Sequence, residues 1–151
     1  MKQFKTTDNI LDFAIKNEIE SYQFYTDLAA TVNNQEMKKV FSEFAAEEQG
    51  HKKLLEDVKK GKTFNVSVKQ IADLKIADFT VDVEPTPDMD YQSALILAMK
   101  KEKKAFQLYT NLAALAEDVT TQQLFQSLAQ QEAKHKLRFE LEYDQVILKD
   151  N

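Results

Sequence analysis

The stretch Ala14-Ile15-Lys16-Asn17-Glu18-Ile19-Glu20-Ser21-Tyr22-Gln23-Phe24-Tyr25-Thr26-Asp27-Leu28-Ala29-Ala30 decides the fold, because the chain contains it twice. Its echo runs from Ala98-Met99-Lys100-Lys101-Glu102 through Tyr109-Thr110-Asn111-Leu112-Ala113-Ala114. The offset is 84 residues, and 9 of the 17 aligned positions (14–30 on 98–114) are identical. The same offset carries Phe41 onto Phe125, Ala45 onto Ala129, Glu48 onto Glu132 and His51 onto His135. Self-similarity of this kind marks a duplicated supersecondary unit, here a pair of helices.

Breaker residues place those helices. Among 151 residues there are 2 Gly and 2 Pro, too few for the turns of an all-β fold and suited to long uninterrupted helices. The first helix is expected over residues 8–32, with Asn33-Asn34 as break and next N-cap. The second is expected over 35–60, ended by a C-cap at Gly61. The third follows Pro85 and Pro87, with Asp88 as N-cap, over 88–117; Asp118 caps the fourth, over 119–148. The two short breaks make helices one and two, and three and four, antiparallel hairpins. Between Gly61 and Pro87, the apolar residues Phe64, Val66, Val68, Ile71, Leu74, Ile76 and Phe79 are scattered anchors, with a short helical turn near 70–74. Such a segment suits a crossover along the bundle, which lets the second and third helices run parallel. The expected architecture is one all-α domain over 1–151, a four-helix bundle of two antiparallel hairpins joined by a long crossover.

Composition narrows function. Lys plus Arg is 20 against Asp plus Glu 25, a net charge of -5, so no basic surface invites nucleic acid or an anionic membrane. No apolar run approaches the roughly 18 residues of a transmembrane helix. Met1-Lys2-Gln3-Phe4-Lys5 leads straight into polar residues without a signal-peptide pattern, so the expected compartment is the cytoplasm. The absence of cysteine removes disulfides, thiol nucleophiles and Cys-ligated zinc or iron–sulfur centres. Any metal here is held by nitrogen and oxygen.

The heptad seams carry the chemistry. They read Leu11, Ile15, Glu18, Tyr22, Tyr25, Ala29, Val32; then Met37, Phe41, Phe44, Glu48, His51, Leu55, Val58; then Leu95, Met99, Glu102, Phe106, Tyr109, Ala113, Ala116; and finally Thr121, Phe125, Leu128, Glu132, His135, Phe139. Each is mostly apolar and each is interrupted near its middle by one Glu. A lone Glu on an amphipathic helix belongs on the solvated face, but apolar neighbours on both sides assign Glu18, Glu48, Glu102 and Glu132 to the inner stripe. A buried salt-bridge cluster would need about four inward cations, and the seams offer only two histidines. Two divalent ions would neutralise four carboxylates, and oxygen-rich ligation with one imidazole per metal suits iron or manganese. Both histidines of the chain have Glu three positions earlier; with 13 Glu in 151 residues, chance gives that coincidence roughly once in 135 sequences. One Glu from each of two helices and Glu-x-x-His from each of the other two is the ligand set of dinuclear carboxylate bundles.

On Glu18 with Tyr25, Glu48-Gln49-Gly50-His51, Glu102 with Tyr109, and Glu132-Ala133-Lys134-His135, the chain resembles the ferritin-like di-iron carboxylate superfamily. Within it, the chain is most similar to the rubrerythrin-like branch without a rubredoxin domain. The resemblance implies a ferritin-like bundle with two iron ions. Glu48 and Glu132 would bridge them, Glu18 and Glu102 would be terminal ligands, and His51 and His135 would each cap one metal. Rubrerythrins proper carry a further carboxylate about one turn after the helix-three Glu, where this chain has Ala105 and Phe106. Cage-forming ferritins usually add a fifth short helix, whereas this sequence stops near the end of the fourth.

Other residues extend the expectations. Tyr25 and Tyr109, two turns beyond Glu18 and Glu102, could each hydrogen-bond a ligating carboxylate across the bundle or supply a one-electron equivalent; the alternative is a core tyrosine. Tyr22 and Phe106 are expected to wall the site from water. Gly50 either leaves space beside the ligand pair or is a tolerated surface glycine. The Lys100, Lys101, Lys103, Lys104 run reads as a solvated stripe that could dock an acidic electron donor. Phe4, Phe13, Phe24 and Leu108 exceed one inward stripe and suggest a homodimer face. The leading function is an oxidoreductase reducing hydrogen peroxide or dioxygen with electrons from a donor protein in trans. The alternatives are a ferroxidase or iron-handling protein, and a non-catalytic helical partner protein.

Overall fold

The computed structural model describes residues 3–148. Four long helices, α1 (Thr7–Thr31), α2 (Gln35–Gly61), α4 (Tyr91–Leu115) and α5 (Val119–Tyr143), account for most of them; α3 (Val68–Ala72) and a 3-10 turn (Ile76–Phe79) interrupt the crossover. Each long helix starts where a short polar side chain accepts an otherwise unpaired first-turn N–H. Thr6 accepts from Asn9, Asn34 from Met37, Asp90 from Ser93 and Asp118 from Thr121. Helix α3 opens with a full capping box, Ser67 and Gln70 reciprocating.

Most helix ends lie within two residues of expectation, and three places differ in kind. The N-cap of α4 is Asp90 and not Asp88, because residues 86–89 close a turn through Met89 N–H to the Thr86 carbonyl, which delays the first helical residue. The left-handed position after α2 falls on Lys62, φ 53°, while Gly61 stays helical. Helix α5 ends at Tyr143 and passes into a π-helical turn over Asp144–Leu148.

Side-chain partners give the directions. Tyr25 meets Glu102 while Tyr109 meets Glu18, so α1 and α4 are antiparallel. His51 meets Gln131 while His135 meets Glu47, so α2 and α5 are antiparallel as well. With α1/α2 and α4/α5 each packed as antiparallel hairpins, α2 and α4 run in the same sense, as only a long crossover permits. Phe64, Ile71 and Phe79 anchor that crossover in the interior. This is the ferritin-like all-α bundle, and no strand occurs among the described residues.

The apolar interior falls into two clusters. One gathers Leu11, Ala14, Leu55, Phe64, Tyr109, Leu112, Phe125 and their neighbours; the other gathers Tyr25, Met37, Phe41, Leu95, Ala98 and Phe139. Between them lies a polar layer. Phe4, Phe24 and Leu108, read from the sequence as surplus to one stripe, are buried within the chain itself, and half-buried Phe13 packs edge-on against Phe4 at 5.2 Å. They form no free face, because the crossover and the N-terminal segment widen the interior beyond a simple seam. No helix is long and apolar enough to cross a membrane among the described residues.

Candidate metal centre

Each long helix carries one glutamate to the same level. Glu18 (α1), Glu48 (α2), Glu102 (α4) and Glu132 (α5) are no more than 2% exposed, as are His51 and His135. A spacing of three residues stacks each histidine nearly over its glutamate on one helix face, which brings both rings into the carboxylate layer. His51 Nδ1 lies 3.4 Å from Glu18 Oε2, 3.3 Å from Glu48 Oε1 and 3.2 Å from Glu132 Oε1. His135 Nδ1 lies 3.5 Å from Glu48 Oε1, 3.5 Å from Glu102 Oε2 and 3.8 Å from Glu132 Oε1. Two quartets result, Glu18/Glu48/His51/Glu132 and Glu48/Glu102/Glu132/His135, in each of which all donor atoms fall within 4.8 Å of one another. Glu48 and Glu132 belong to both.

One atom of each of these six side chains is buried without a hydrogen-bond partner: Glu18 Oε2, Glu48 Oε1, Glu102 Oε2, Glu132 Oε1 and Nδ1 of both histidines. Orphaned buried polar atoms are costly, each by about 1–3 kcal/mol, and six of them facing one another call for a common partner. Protonating both imidazoles would offset two of the four carboxylate charges and leave two uncompensated in a low-dielectric layer. Two divalent cations offset all four and satisfy all six atoms. The residues present therefore fit a dinuclear metal cofactor.

The rubrerythrin family profile matches residues 9–143. The chain belongs to the rubrerythrin family. Two solved structures share the fold of this rubrerythrin-family protein. One is a protein from Thermotoga maritima assigned to the ferritin-like diiron-carboxylate proteins: TM-score 0.76, 22% identity, 97% of this chain and 99% of that one covered. The other is a hypothetical protein from Pyrococcus furiosus: TM-score 0.71, 25% identity, 89% of this chain and 86% of that one covered. No curated protein matches the chain.

Electrostatics in this rubrerythrin-family site follow from crowding. Burial pushes the carboxyls of Glu48 and Glu132 well above the ordinary range, and the neighbouring carboxylates push them further. Burial alone would lower both imidazoles, but contacts to Glu18 and Glu48 dominate at His51, which is pushed up to about 11. Contacts to Glu102 and Glu47 likewise raise His135. Without cations the layer thus holds protons tightly, and a bound cation would take their place.

The tyrosines reach across the bundle. Tyr25 Oη donates to Glu102 Oε1, and Tyr109 Oη donates to Glu18 Oε1 at 2.5 Å. In both glutamates this leaves Oε2 as the inward, unpartnered oxygen. Burial, and then carboxylate charge, raises both phenols well above their ordinary value, so both stay protonated and donate.

The remaining expectations divide residue by residue. Phe106 is 39% exposed and does not wall the site, because a straight helix drifts off a strict heptad; Tyr22 is half-buried. Nothing lies within 4 Å of a Cβ built on Gly50, which is a surface glycine. Lys101 sits 5.6 Å over the Phe24 ring, and Lys104 holds the crossover through the Asp78 carbonyl at 3.0 Å. Of the three side chains that contact the histidines from behind, the seams include Phe44 and omit Glu47 and Gln131. Phe44 stacks on His135 at 3.8 Å, Glu47 Oε2 accepts from His135 Nε2, and Gln131 Oε1 accepts from His51 Nε2. Their one sequence signal is position: Glu47 and Gln131 each immediately precede a cluster glutamate.

Proposed function

We propose that this chain is a non-haem di-iron oxidoreductase of the cytoplasm, reducing hydrogen peroxide or dioxygen with electrons from a separate donor protein. The reading is carried by the six inward-facing donor atoms that lack any other partner. When bound, the two ions supply the redox equivalents and open coordination positions; oxygen and imidazole donors suit iron, with manganese the alternative. The residues do the rest. Glu48 and Glu132, common to both quartets, would be shared by the two ions; Glu18 and Glu102 would each hold one, their second oxygens held by Tyr109 and Tyr25. The two apolar clusters on either side keep bulk water from the layer. A cavity of about 180 Å³ between α1, α4 and the crossover reaches Glu18, Tyr109 and Glu132, smaller than the roughly 300 Å³ at which organic-ligand pockets begin. That size favours a small oxidant. Docking of an acidic donor on the exposed Lys100 and Lys103, and homodimerisation, belong to the same proposal.

Anaerobic loading with Fe(II) tests it. Two irons per chain are expected, and peroxide should then generate ferric near-ultraviolet absorbance; Glu48→Ala should abolish both. Binding of one iron or none would refute the mechanism. Iron handling is the second reading, favoured by Ala105 and Phe106 at the position of the additional rubrerythrin carboxylate. Iron retained far beyond two per chain after excess loading would select it. A non-catalytic partner protein would instead show the same thermal stability with and without a chelator.

A further inference from the structure

The six candidate ligands obey the internal repeat, and the side chains behind them do not. The offset of 84 that carries Glu18 onto Glu102 and Glu48-x-x-His51 onto Glu132-x-x-His135 places Glu47 on Gln131. Each of these two side chains reaches the histidine of the opposite hairpin at Nε2. Both rings turn Nδ1 toward the carboxylate layer, so Nε2–H is the donor on both sides. One imidazole therefore donates to an anion and its twin donates to a neutral amide.

We propose that Glu47 and Gln131 are positioning residues that make the two metal positions unequal, the His135 position holding a divalent cation more tightly than the His51 position. The inference rests on the two-cation reading above. A carboxylate accepting the ring N–H fixes the tautomer and increases the electron density at the coordinating nitrogen, which strengthens the bond to a cation. An amide oxygen fixes the tautomer and supplies no charge. Glu47 is about half exposed, 46% at its side chain, which weakens its field at a distance but not its direct contact. The same half of the site differs in one further respect: Phe44, stacked on His135, has Leu128 as its counterpart in the repeat. Substitutions confined to Glu47 and Gln131 separate the charge from that stacking. Two cations sharing Glu48 and Glu132 repel each other whatever lies behind the histidines, so a two-step titration alone proves nothing, and the variants carry the test.

Co(II) is the probe, titrated into the full-length protein and followed by visible absorption and calorimetry. Glu47→Gln, nearly isosteric, is expected to weaken the first step about tenfold or more and leave the second within twofold. Gln131→Glu is expected to tighten the second step by a similar factor, a gain that a merely structural role would not produce. Unchanged helical circular dichroism of both metal-free variants shows that the fold is kept. A first step unaltered by Glu47→Gln, or a second step not tightened by Gln131→Glu, overturns the inference while leaving the dinuclear site standing. Failure of the wild type to bind two Co(II) ions overturns both.

Discussion

Removing divalent metal should destabilise this protein steeply, and more so as pH rises. In the polar layer four buried carboxylates face two imidazoles, and six of their inward atoms have no hydrogen-bond partner. Ions that bind only the folded state stabilise it by about 2.7 kcal/mol per site at a free concentration one hundred times Kd. Two sites then contribute about 5 kcal/mol, which for a chain of this size corresponds to a rise in Tm of roughly 10–20 °C. The pH dependence follows from the direction of the shifts. Glu48 and Glu132 have folded pKa values raised above 4.5, and His51 is raised from 6.5 to about 11. A group raised in the folded state contributes stability that is complete below its unfolded pKa and is lost as pH climbs through its folded pKa. Metal-free protein should therefore lose stability from about pH 4.5 upward as the carboxyls ionise, and further above about 6.5 as His51 approaches its folded value. Metal binding requires deprotonated ligands, so the metal-dependent increment grows over the same range. Calorimetric melts with Mn(II), which avoids oxidation, and with a chelator, at several pH values from 5 to 8, measure the gap. A gap of less than a degree or two, or one that narrows as pH rises, would refute the charge argument behind the site.

Three further outcomes check parts of the structure separately. Tyr109→Phe leaves Glu18 Oε1 without its donor; metal affinity should fall about tenfold or more, measured by Co(II) titration, and Tyr25→Phe should do the same through Glu102. Phe139, fully buried against Tyr25, Phe41 and Phe44, should cost about 3–5 kcal/mol when changed to Ala, read from denaturant unfolding of the metal-free protein. Gly50→Ala places a methyl where nothing lies within 4 Å and should stabilise α2 by up to about 1 kcal/mol with two metals per chain still bound; a loss of either metal would show that the space is used.

How much was legible beforehand differs by residue. Glu18, Glu48, Glu102, Glu132, His51 and His135 could be placed on inner seams because a helix repeats every 3.6 residues and their apolar neighbours marked the buried side. Phe106 was misplaced by the same rule, since seven residues fall just short of two turns and the stripe wanders by about 20° per heptad. Asp88 was read as the N-cap from its place after Pro87, and the turn closed by Met89 moves the cap to Asp90. Phe4, Phe24 and Leu108 looked surplus because a seam counts one face per helix. The folded crossover and N-terminal segment cover a second face.

Periodicity and duplication, both readable along the chain, were sufficient to determine the helical class, the two hairpins and the level at which acids interrupt the interior. Tertiary structure alone decided which oxygen each tyrosine holds, and that His135 is backed by Glu47 whereas His51 is backed by Gln131. Those partners lie 77 to 91 residues apart in sequence. Their meeting depends on how the two hairpins dock, a matter of packing between distant segments that no local spacing rule encodes.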